Sequence, residues 1–335
     1  MILRNVSLKR YNTFGLYYKA DNLITIKSEN EAVSILKKID TLTKPILIIG
    51  KGSNILFTKD FRGTLLHSEI GGITIEENRP EYAILSGGSG INWDDFVEWS
   101  VINGYGGLEN LSLIPGTVGA TAVQNIGAYG IEVKETIEKV RAISLEDGSI
   151  REFNNEECRF EYRNSIFKND LKGKYLITRV YYKLTTKPLL HLDYGSLGDE
   201  VRKKGDATLK NLRAAVIDIR RKKLPDPDKI GNAGSFFKNP VVSISIAEEI
   251  KRKYPLVPVY ENQSGGIKLA AGWLIDQCGW KGKRIGYAGV HEKQALVLVN
   301  YGNATGKEIY LLSEEIRQSV LKKFGVNLER EVVVI

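Results

Sequence analysis

The segment Ile46-Leu47-Ile48-Ile49-Gly50-Lys51-Gly52-Ser53-Asn54-Ile55-Leu56-Phe57 decides the fold near the start of the chain. Two short apolar runs flank a turn with two glycines, which is typical of a strand, a turn and a second strand. Successive amide groups of such a turn can cradle a phosphate, and glycine lets a ligand approach the backbone. The segment is neither a Walker A loop nor a Rossmann fingerprint, because Ile55 stands at the third glycine position and no helix follows. A plain turn and a phosphate loop both remain open.

Helix and strand signals continue on both sides of this segment. Ser28 to Glu31 form a capping box, which predicts a helix before Ile46 and a β-α-β-β start. Asn92 predicts the start of another helix, and Gly104 its end. The remaining pattern predicts an α+β protein with mixed sheets. Its strands are predicted at 137–145, 149–153, 175–184, 295–300 and 331–335, and its helices at 206–223, 245–253, 268–278 and 306–324.

The stretch Ile114–Gly130, IPGTVGATAVQNIGAYG, is apolar yet interrupted by small residues and glycines. A packed core helix rarely tolerates so much glycine, so we do not expect a helix there. Small residues let the backbone lie against a flat or charged ligand. Contact with a ligand is the favoured interpretation, and a tightly packed loop is the alternative.

Composition bounds the class of protein. The 335 residues are 42% apolar and 26% charged, which excludes whole-chain disorder, collagen and coiled coil. No apolar run approaches the roughly 20 residues that a membrane span needs, so no membrane insertion is expected. The first residues lack the apolar core of a signal peptide, and the two cysteines are far apart, so we expect a cytoplasmic protein. The three scattered histidines predict no metal site.

The net charge of +8 raises the question of a nucleic-acid partner. The densest basic run, Arg220–Lys223, is favoured as the solvated last turn of a helix, where cations suit the helix dipole. A small anionic ligand is the next interpretation. The run lacks the interleaved aromatic residues of a single-strand binder. Pro225-Asp226-Pro227 follows it and predicts a domain boundary.

Three further positions carry polar chemistry with two interpretations each. Arg163 lies between aromatic residues, either as a stacked structural arginine or as a fixed cation for a carboxylate or phosphate. Ser235 follows a glycine without a nucleophile-elbow pattern, so a turn serine is favoured from the pattern alone. Glu329 and Glu331 precede an apolar strand, where exposed strand-edge acids are the expected default.

These motifs together resemble one family, the UDP-N-acetylenolpyruvoylglucosamine reductases, also called UDP-N-acetylmuramate dehydrogenases. The resemblance runs from Tyr11 to Glu331. It rests on long blocks in the expected order: YNTFG, GKGSNILF, GLENLSLIPGTVGA, QNIGAYG, CRFEYRNSIFK, KLPDP, GNAGSFFKNP, KLAAGWLIDQCGWKG and HEKQALVLVN. His191-Leu192-Asp193-Tyr194-Gly195 matches the type of the family that carries a tyrosine-bearing segment.

The resemblance implies an α+β fold in which a PCMH, or vanillyl-alcohol-oxidase, type FAD domain precedes an α+β substrate domain. The implied divisions are a first FAD-binding subdomain at 1–70 joined by the strand 328–335, a second at 71–224, and a substrate-binding domain at 225–327. FAD would be bound non-covalently. The implied cofactor contacts are Gly50, Lys51, Gly52, Ser53, Asn54, Gly116, Thr117, Gln124, Asn125, Gly127 and Ala128.

The resemblance also implies the reaction, in which NADPH reduces FAD and UDP-N-acetylglucosamine enolpyruvate is then reduced to UDP-N-acetylmuramate for peptidoglycan. Arg163 would stabilise charge on the substrate carboxylate. Ser235 would donate the proton to C2, and Glu331 would polarise the carboxylate. The motif register favours Glu331 over Glu329, and Arg330 could pair with either acid.

Further matches imply substrate contacts and a monomer. Tyr194 is expected to cover the bound substrate, and Arg220 is a less certain contact. The remaining implied substrate residues are Lys223, Asn239, Tyr260, Lys281 and Gln294. Two other hypotheses are kept: another flavin oxidoreductase of this fold, and a non-catalytic nucleotide or nucleic-acid binding protein, which predicts salt-sensitive binding.

Overall fold

The computed structural model describes residues 2–261 and 265–335 and divides the chain into two compact units. Unit 1 comprises 1–6, 20–51 and 62–222, and unit 2 comprises 7–19, 52–61 and 223–335. The boundary between Lys51 and Gly52 therefore falls inside the predicted glycine turn. The predicted division into two FAD-binding subdomains and a substrate domain stays a prediction.

Unit 1 contains a four-stranded sheet at its N-terminal end. Its strands, in spatial order, are Ile2–Ser7, Lys19–Ile26, Phe61–Ser68 and Ile46–Ile49, the last two parallel. The predicted helix is present as Glu29–Leu36, because the Ser28 hydroxyl accepts a hydrogen bond from the Glu31 amide at 3.2 Å. Ala32 and Leu36 are buried against the sheet residue Leu66. The β-α-β start is thus confirmed.

A five-stranded antiparallel sheet forms the rest of the β-structure of this unit, beside the short hairpin of Gly127–Ala128 and Ile131–Glu132. Its spatial order is Ile150–Asn154, Ile137–Ser144, Tyr175–Thr185, Tyr82–Gly88 and Ile73–Asn78. The helix Trp93–Ile102 begins at the predicted cap Asn92, whose side chain accepts from the Asp94 amide at 3.0 Å. Trp93, Phe96 and Tyr182 are fully buried with ring centroids 5.0 to 6.0 Å apart, which anchors this helix to the sheet.

One expectation for the glycine-rich stretch is wrong, because Val118–Gln124 is a helix with most of its residues buried. Gly119 explains why glycine is tolerated there. A Cβ at this position would lie 2.7 Å from the Ser89 Cβ, so the helix packs closer to the loop after Tyr82–Gly88 than any larger residue allows. The unit also contains the helices Leu197–Arg202 and Leu209–Lys223, the latter starting three residues later than predicted.

The described part of unit 2 contains short strands and the α-helices Ile244–Lys253, Ala271–Gln277 and Gly306–Phe324. One sheet orders Gly231–Ser235, Val297–Asn300, Ala288–Val290 and Arg284–Ile285, and another orders Val241–Val242, Ile267–Leu269 and Val259–Glu261. The predicted helix at 268–278 is therefore wrong in its first residues, which form a strand. Phe236, Leu274 and Ile316 are among the fully buried residues that join the helices to the sheets.

The end of the chain pairs within unit 2, where Val333–Val334 lies parallel to Ile55–Leu56. This strand is shorter than predicted. The mixture of helices and strands confirms the α+β class. Among the residues that the structure describes, no helix combines the length and the apolar character that crossing a membrane requires.

Gly52 is a position in unit 2 that has no space for a side chain. Its φ is +65°, and a Cβ there would overlap the carbonyl oxygen of Tyr11. The Thr13 amide also donates to the Gly52 carbonyl oxygen at 3.3 Å. Backbone meets backbone at this point, so neither neighbour can rotate away to make room.

We predict that Gly52→Ala destabilises the protein far more than Gly325→Ala, measured by thermal and urea unfolding. Gly325 ends the helix Gly306–Phe324 with φ of +68° and has nothing within 4 Å of an added Cβ. It therefore measures the backbone strain alone, about 1–2 kcal/mol. The overlap at Gly52 adds roughly another 1–3 kcal/mol. Equal losses in the two variants would contradict the contact with Tyr11.

Candidate functional site

The structure brings two predicted cofactor segments together in unit 1. Gly50 directly follows the strand Ile46–Ile49. A Cβ at Gly50 would lie 2.9 Å from the hydroxyl oxygen of Thr117. Thr117 is buried and immediately precedes the helix Val118–Gln124. Residues 67 positions apart in sequence therefore line one backbone surface, which leaves room for a ligand against main-chain groups.

Asn125 holds the next turn with its side chain. It is fully buried in the left-handed conformation, with φ of +41°. Its amide nitrogen donates to Glu132 Oε2 at 2.9 Å and to the Glu161 carbonyl oxygen at 2.7 Å, and its amide oxygen accepts from the Lys134 amide at 3.1 Å. Both amide hydrogens of the Asn125 side chain are therefore used within the protein.

Arg163 is fixed in a strained turn. Glu161 and Asn164 exchange both backbone hydrogen bonds, and Arg163 between them has φ of +55°, which is unfavourable for a residue with a side chain. Its guanidinium donates to the carbonyl oxygens of Gly127 at 2.6 Å and Asn125 at 3.4 Å, and it lies 5.3 Å from the Tyr162 ring centroid. The stacking and the fixed-cation interpretations therefore both describe its surroundings.

Lys168 supports this turn, although the sequence suggested no role for it. Its ammonium group donates to the Arg163 carbonyl oxygen at 3.0 Å and to Gln124 Oε1 at 2.8 Å. The lysine therefore links the arginine turn to the end of the helix Val118–Gln124. Its position at the end of the quoted block CRFEYRNSIFK was the available signal.

Residues 221–223 of the basic run are exposed, as the solvated helix turn predicts, whereas Arg220 is only partly exposed. Burial lowers the pKa of its guanidinium, and Arg163 lowers it further, while Tyr129 and Asp94 act in the opposite direction. Its Nε donates to the Leu113 carbonyl oxygen at 3.3 Å. The helix Leu209–Lys223 thus places a second guanidinium in the electrostatic neighbourhood of Arg163.

Tyr194, the predicted lid residue, packs edge-on against Tyr129 with ring centroids 5.8 Å apart. Burial raises the pKa of Tyr129, whereas the Tyr194 side chain is about half exposed, at 51%. The half-exposed ring of Tyr194 can separate from Tyr129 and return at small cost in buried area. The contact is compatible with a lid, which stays a prediction.

In unit 2 the backbone brings Ser235 and Glu331 close together in the fold. The Glu331 amide donates to the carbonyl oxygen of Phe236 at 2.9 Å, and the Phe236 amide donates to the Leu296 carbonyl oxygen at 2.8 Å. Ser235 precedes Phe236 and is exposed, while Phe236 itself is fully buried. The buried ring therefore anchors the strand at the residue next to the serine.

The two neighbouring glutamates have different surroundings. Glu329 is 71% exposed at its side chain and pairs with the Lys238 ammonium group at 2.5 Å. Arg330 lies 4.5 Å from the Tyr310 ring centroid, donates to the Ser313 hydroxyl at 3.0 Å and pairs with Glu314. Arg330 thus packs against the helix Gly306–Phe324, and Glu329 is engaged at the surface.

The other predicted substrate residues are distributed over unit 2, and three of them have structural partners. Asn239 accepts from the Ala271 amide at 3.0 Å, and Gln294 accepts from the Leu296 amide at 3.3 Å. The Lys281 ammonium group lies 3.2 Å from Asp276. Tyr260 is half exposed on the strand Val259–Glu261, and Lys223 is exposed at the end of its helix. Their roles toward a substrate stay predictions.

An open cavity of about 350 Å³ in unit 2 includes none of the predicted site residues. Its lining comes from Lys9, Phe14, Gly15, 227–231 and 300–302. Within the ranges 2–261 and 265–335, no group of three or more histidine, cysteine, aspartate or glutamate residues could hold a metal ion.

Comparison with family models gives two matches. Residues 226–335 match the model described as the C-terminal domain of UDP-N-acetylenolpyruvoylglucosamine reductase, and residues 20–154 match an FAD binding domain. The FAD match covers Gly50 to Asn54 and the whole glycine-rich stretch. The C-terminal match begins one residue after Pro225 and includes Ser235 and Glu331.

Relatives of known name match the whole chain. A UDP-N-acetylenolpyruvoylglucosamine reductase of Flavobacterium johnsoniae is 48% identical over all of this chain and 99% of its own length. One from Pseudomonas putida is 45% identical over 97% of this chain and 96% of its own. The crystal structure of the Thermus caldophilus enzyme is similar in fold, with a TM-score of 0.68 at 24% identity over 100% of this chain and 98% of that one.

The residues of unit 1 fit an FAD group. The cradle at Gly50 and Thr117 offers backbone groups at a position that a Cβ would fill, which suits close approach of a phosphate. A Cβ at Gly127 would lie 2.8 Å from Arg163 Nη1, so the backbone here must lack a side chain, as it must at Gly50. Together with the matched domain, these features confirm the predicted flavin-binding fold and its cofactor, FAD.

We predict that Lys168→Met weakens FAD binding about tenfold, measured by equilibrium dialysis and flavin fluorescence. The substitution removes two charge-assisted hydrogen bonds, of roughly 1.5–3 kcal/mol each, that tie the arginine turn to Gln124. Lys172→Met makes the same change of charge at an exposed site four residues on and should leave affinity unchanged. Equal affinity in both variants would contradict the role of Lys168.

Proposed function

Because this chain belongs to the UDP-N-acetylenolpyruvoylglucosamine reductase family and is an FAD-dependent oxidoreductase, we propose that it reduces UDP-N-acetylglucosamine enolpyruvate to UDP-N-acetylmuramate with NADPH. The product would serve peptidoglycan synthesis in the cytoplasm. The observation that carries the proposal is the hydrogen bond from the Glu331 amide to the Phe236 carbonyl oxygen, at 2.9 Å. It holds an acid beside the strand of an exposed serine.

The backbone at Gly50, Thr117 and Gly127 would hold FAD, which after reduction by NADPH would be the source of the hydride for C3 of the enolpyruvyl group. The addition increases negative charge at C2 and on the adjoining carboxylate. Arg163 lies in a turn that its backbone fixes, so its guanidinium needs little reorganisation to stabilise that charge. The carbonyl oxygens of Gly127 and Asn125 orient it without neutralising it.

Ser235 would deliver the proton that C2 needs. A serine is a weak acid, but a carbon that carries enolate-like charge is a strong base, so the transfer is favourable. Gly234 before it has φ of +68° and open space around it, and Phe236 after it is buried. The hydroxyl therefore projects from a strand that is anchored on one side.

Glu331 would polarise the substrate carboxylate. Two carboxylates approach each other favourably only with a shared proton or a bridging cation. We assign this role to Glu331 rather than Glu329, because Glu329 is engaged by Lys238 at the surface. Its amide is held at the carbonyl group next to Ser235, which limits where the carboxylate can reach.

Polar side chains predicted from the resemblance would hold the UDP-sugar. Lysines 223 and 281 would neutralise the diphosphate, and Tyr260 would pack on the sugar or base. Tyr194 would cover the bound substrate from its contact with Tyr129. Asn239 and Gln294 each use the side-chain oxygen for a backbone amide, which leaves the NH2 group to donate to the substrate.

The overall proposal is tested by anaerobic titration of the purified, FAD-loaded protein. NADPH should reduce the flavin, and UDP-N-acetylglucosamine enolpyruvate should then reoxidise it, because the flavin carries the electrons between two separate steps. UDP-N-acetylglucosamine, which lacks the vinyl group, is the control and should leave the flavin reduced. Flavin that stays reduced with both sugars would overturn the proposed reaction.

We predict that Ser235→Ala separates the two half-reactions in stopped-flow measurements. Flavin reduction by NADPH should keep its rate, because no proton from Ser235 is needed. Reoxidation by the enolpyruvyl substrate should slow by about 10²–10⁴-fold, the usual contribution of a positioned acid. Ser245→Ala, at an exposed serine of unit 2, should affect neither step. Slow reduction with normal reoxidation would contradict the assignment.

A further inference from the structure

Asn54 contacts the backbone of the acid assigned to the reaction. Its side-chain nitrogen lies 3.2 Å from the carbonyl oxygen of Glu331, 277 residues away in sequence, and donates a hydrogen bond to it. Both residues belong to unit 2. The resemblance implied only a cofactor role for Asn54, so this contact is a separate observation.

Glu331 is thereby held at both of its backbone groups. Its amide donates to the Phe236 carbonyl oxygen at 2.9 Å, and its carbonyl oxygen accepts from Asn54. The Cα that carries the carboxylate lies between these two anchors. Because both flanking peptide groups are fixed, the direction in which the Glu331 side chain leaves the backbone is fixed relative to the strand Gly231–Ser235.

The pairing of the terminal strand with Ile55–Leu56 begins after Glu331. The Val333 amide donates to the Asn54 carbonyl oxygen at 3.0 Å, and the Ile335 amide to Leu56 at 2.9 Å. The main-chain ladder therefore starts two residues past the acid. The main-chain hydrogen bonds of this pairing do not include Glu331. The Asn54 side chain adds one hydrogen bond that does reach Glu331.

We propose that Asn54 is a positioning residue for Glu331 in the step that reduces the enolpyruvyl substrate. The inference rests on the proposed function and deepens it. Asn54 acts through the Glu331 backbone and needs no contact with the reacting atoms. Loss of its hydrogen bond lets the peptide after Glu331 turn, which displaces the carboxylate and slows only the step that uses it.

A second anchor of the same strand offers a matched control. The Thr58 hydroxyl donates to the Ile335 carbonyl oxygen at 2.8 Å, and the Thr58 amide donates to the same oxygen at 2.9 Å. Thr58→Val removes one side-chain hydrogen bond to the terminal strand and keeps the shape of the residue. It therefore tests attachment of the strand in general, away from Glu331.

The experiment measures both half-reactions and the FAD affinity of Asn54→Ala, Asn54→Asp and Thr58→Val in the FAD-loaded protein. The resemblance also implies a cofactor contact for Asn54, so both rates are measured with FAD saturating, and flavin reduction by NADPH should then slow less than reoxidation does. Reoxidation by the enolpyruvyl substrate should slow about tenfold or more, equivalent to about 1.4 kcal/mol. Thr58→Val should keep both rates. Aspartate has nearly the shape of asparagine, so Asn54→Asp tests the proposal if the alanine variant does not fold.

A double-mutant cycle with Glu331→Gln separates positioning from general destabilisation. If Asn54 acts through Glu331, adding Asn54→Ala to Glu331→Gln should slow reoxidation little further. Additive losses, an equal loss in Thr58→Val, or flavin reduction that slows as much as reoxidation would each overturn the proposal. Failure of the unsubstituted protein to reoxidise with substrate would instead overturn the proposed function.

Discussion

The segment Tyr11–Phe14 is the constraint on which the arrangement of unit 2 depends. On one side its Thr13 amide donates to the Gly52 carbonyl oxygen at 3.3 Å. On the other, Thr13 and Asn232 are joined by a backbone hydrogen bond of 3.0 Å and one of 2.6 Å from the Thr13 hydroxyl. The loop that leads to Asn54 and the strand that leads to Ser235 are thus attached to the same residue. A bare backbone at Gly52 is the condition for this contact, since a side chain would overlap Tyr11.

In unit 1, hydrogen bonds hold the turn of Arg163 although its backbone is strained. The positive φ of Arg163 costs about 1–2 kcal/mol. Hydrogen bonds to Gly127 and Asn125 from the guanidinium, and from Lys168 to the Arg163 carbonyl oxygen, offset that cost. Each of these acceptors is an uncharged oxygen. The arrangement therefore fixes the geometry of the guanidinium group toward an anionic ligand.

Local signals in the sequence predicted local structure well. The capping residues Ser28 and Asn92 begin helices where expected, and the helix Gly306–Phe324 has the predicted bounds, because a cap depends on residues within one turn. The helix Val118–Gln124 was missed, since its glycine is explained only by the distant Ser89. Burial of Arg220 and the contact of Asn54 with Glu331 depend equally on partners far away in sequence. Long motif blocks predicted the family and its cofactor. They did not predict the contacts that hold the site residues in place.

The effect of the net charge of +8 depends more on where the charged side chains lie than on how many there are. Many surface lysines and arginines pair with acids, as Lys139 does with Glu152 and Lys187 with Glu81, and such pairs contribute little to any long-range field. Lys168 and Arg163 donate to carbonyl and amide oxygens of the protein, and Arg220 is partly desolvated nearby. A charge that is partly removed from water acts strongly over a short range. Such a field favours a compact anion, such as a carboxylate or a pyrophosphate.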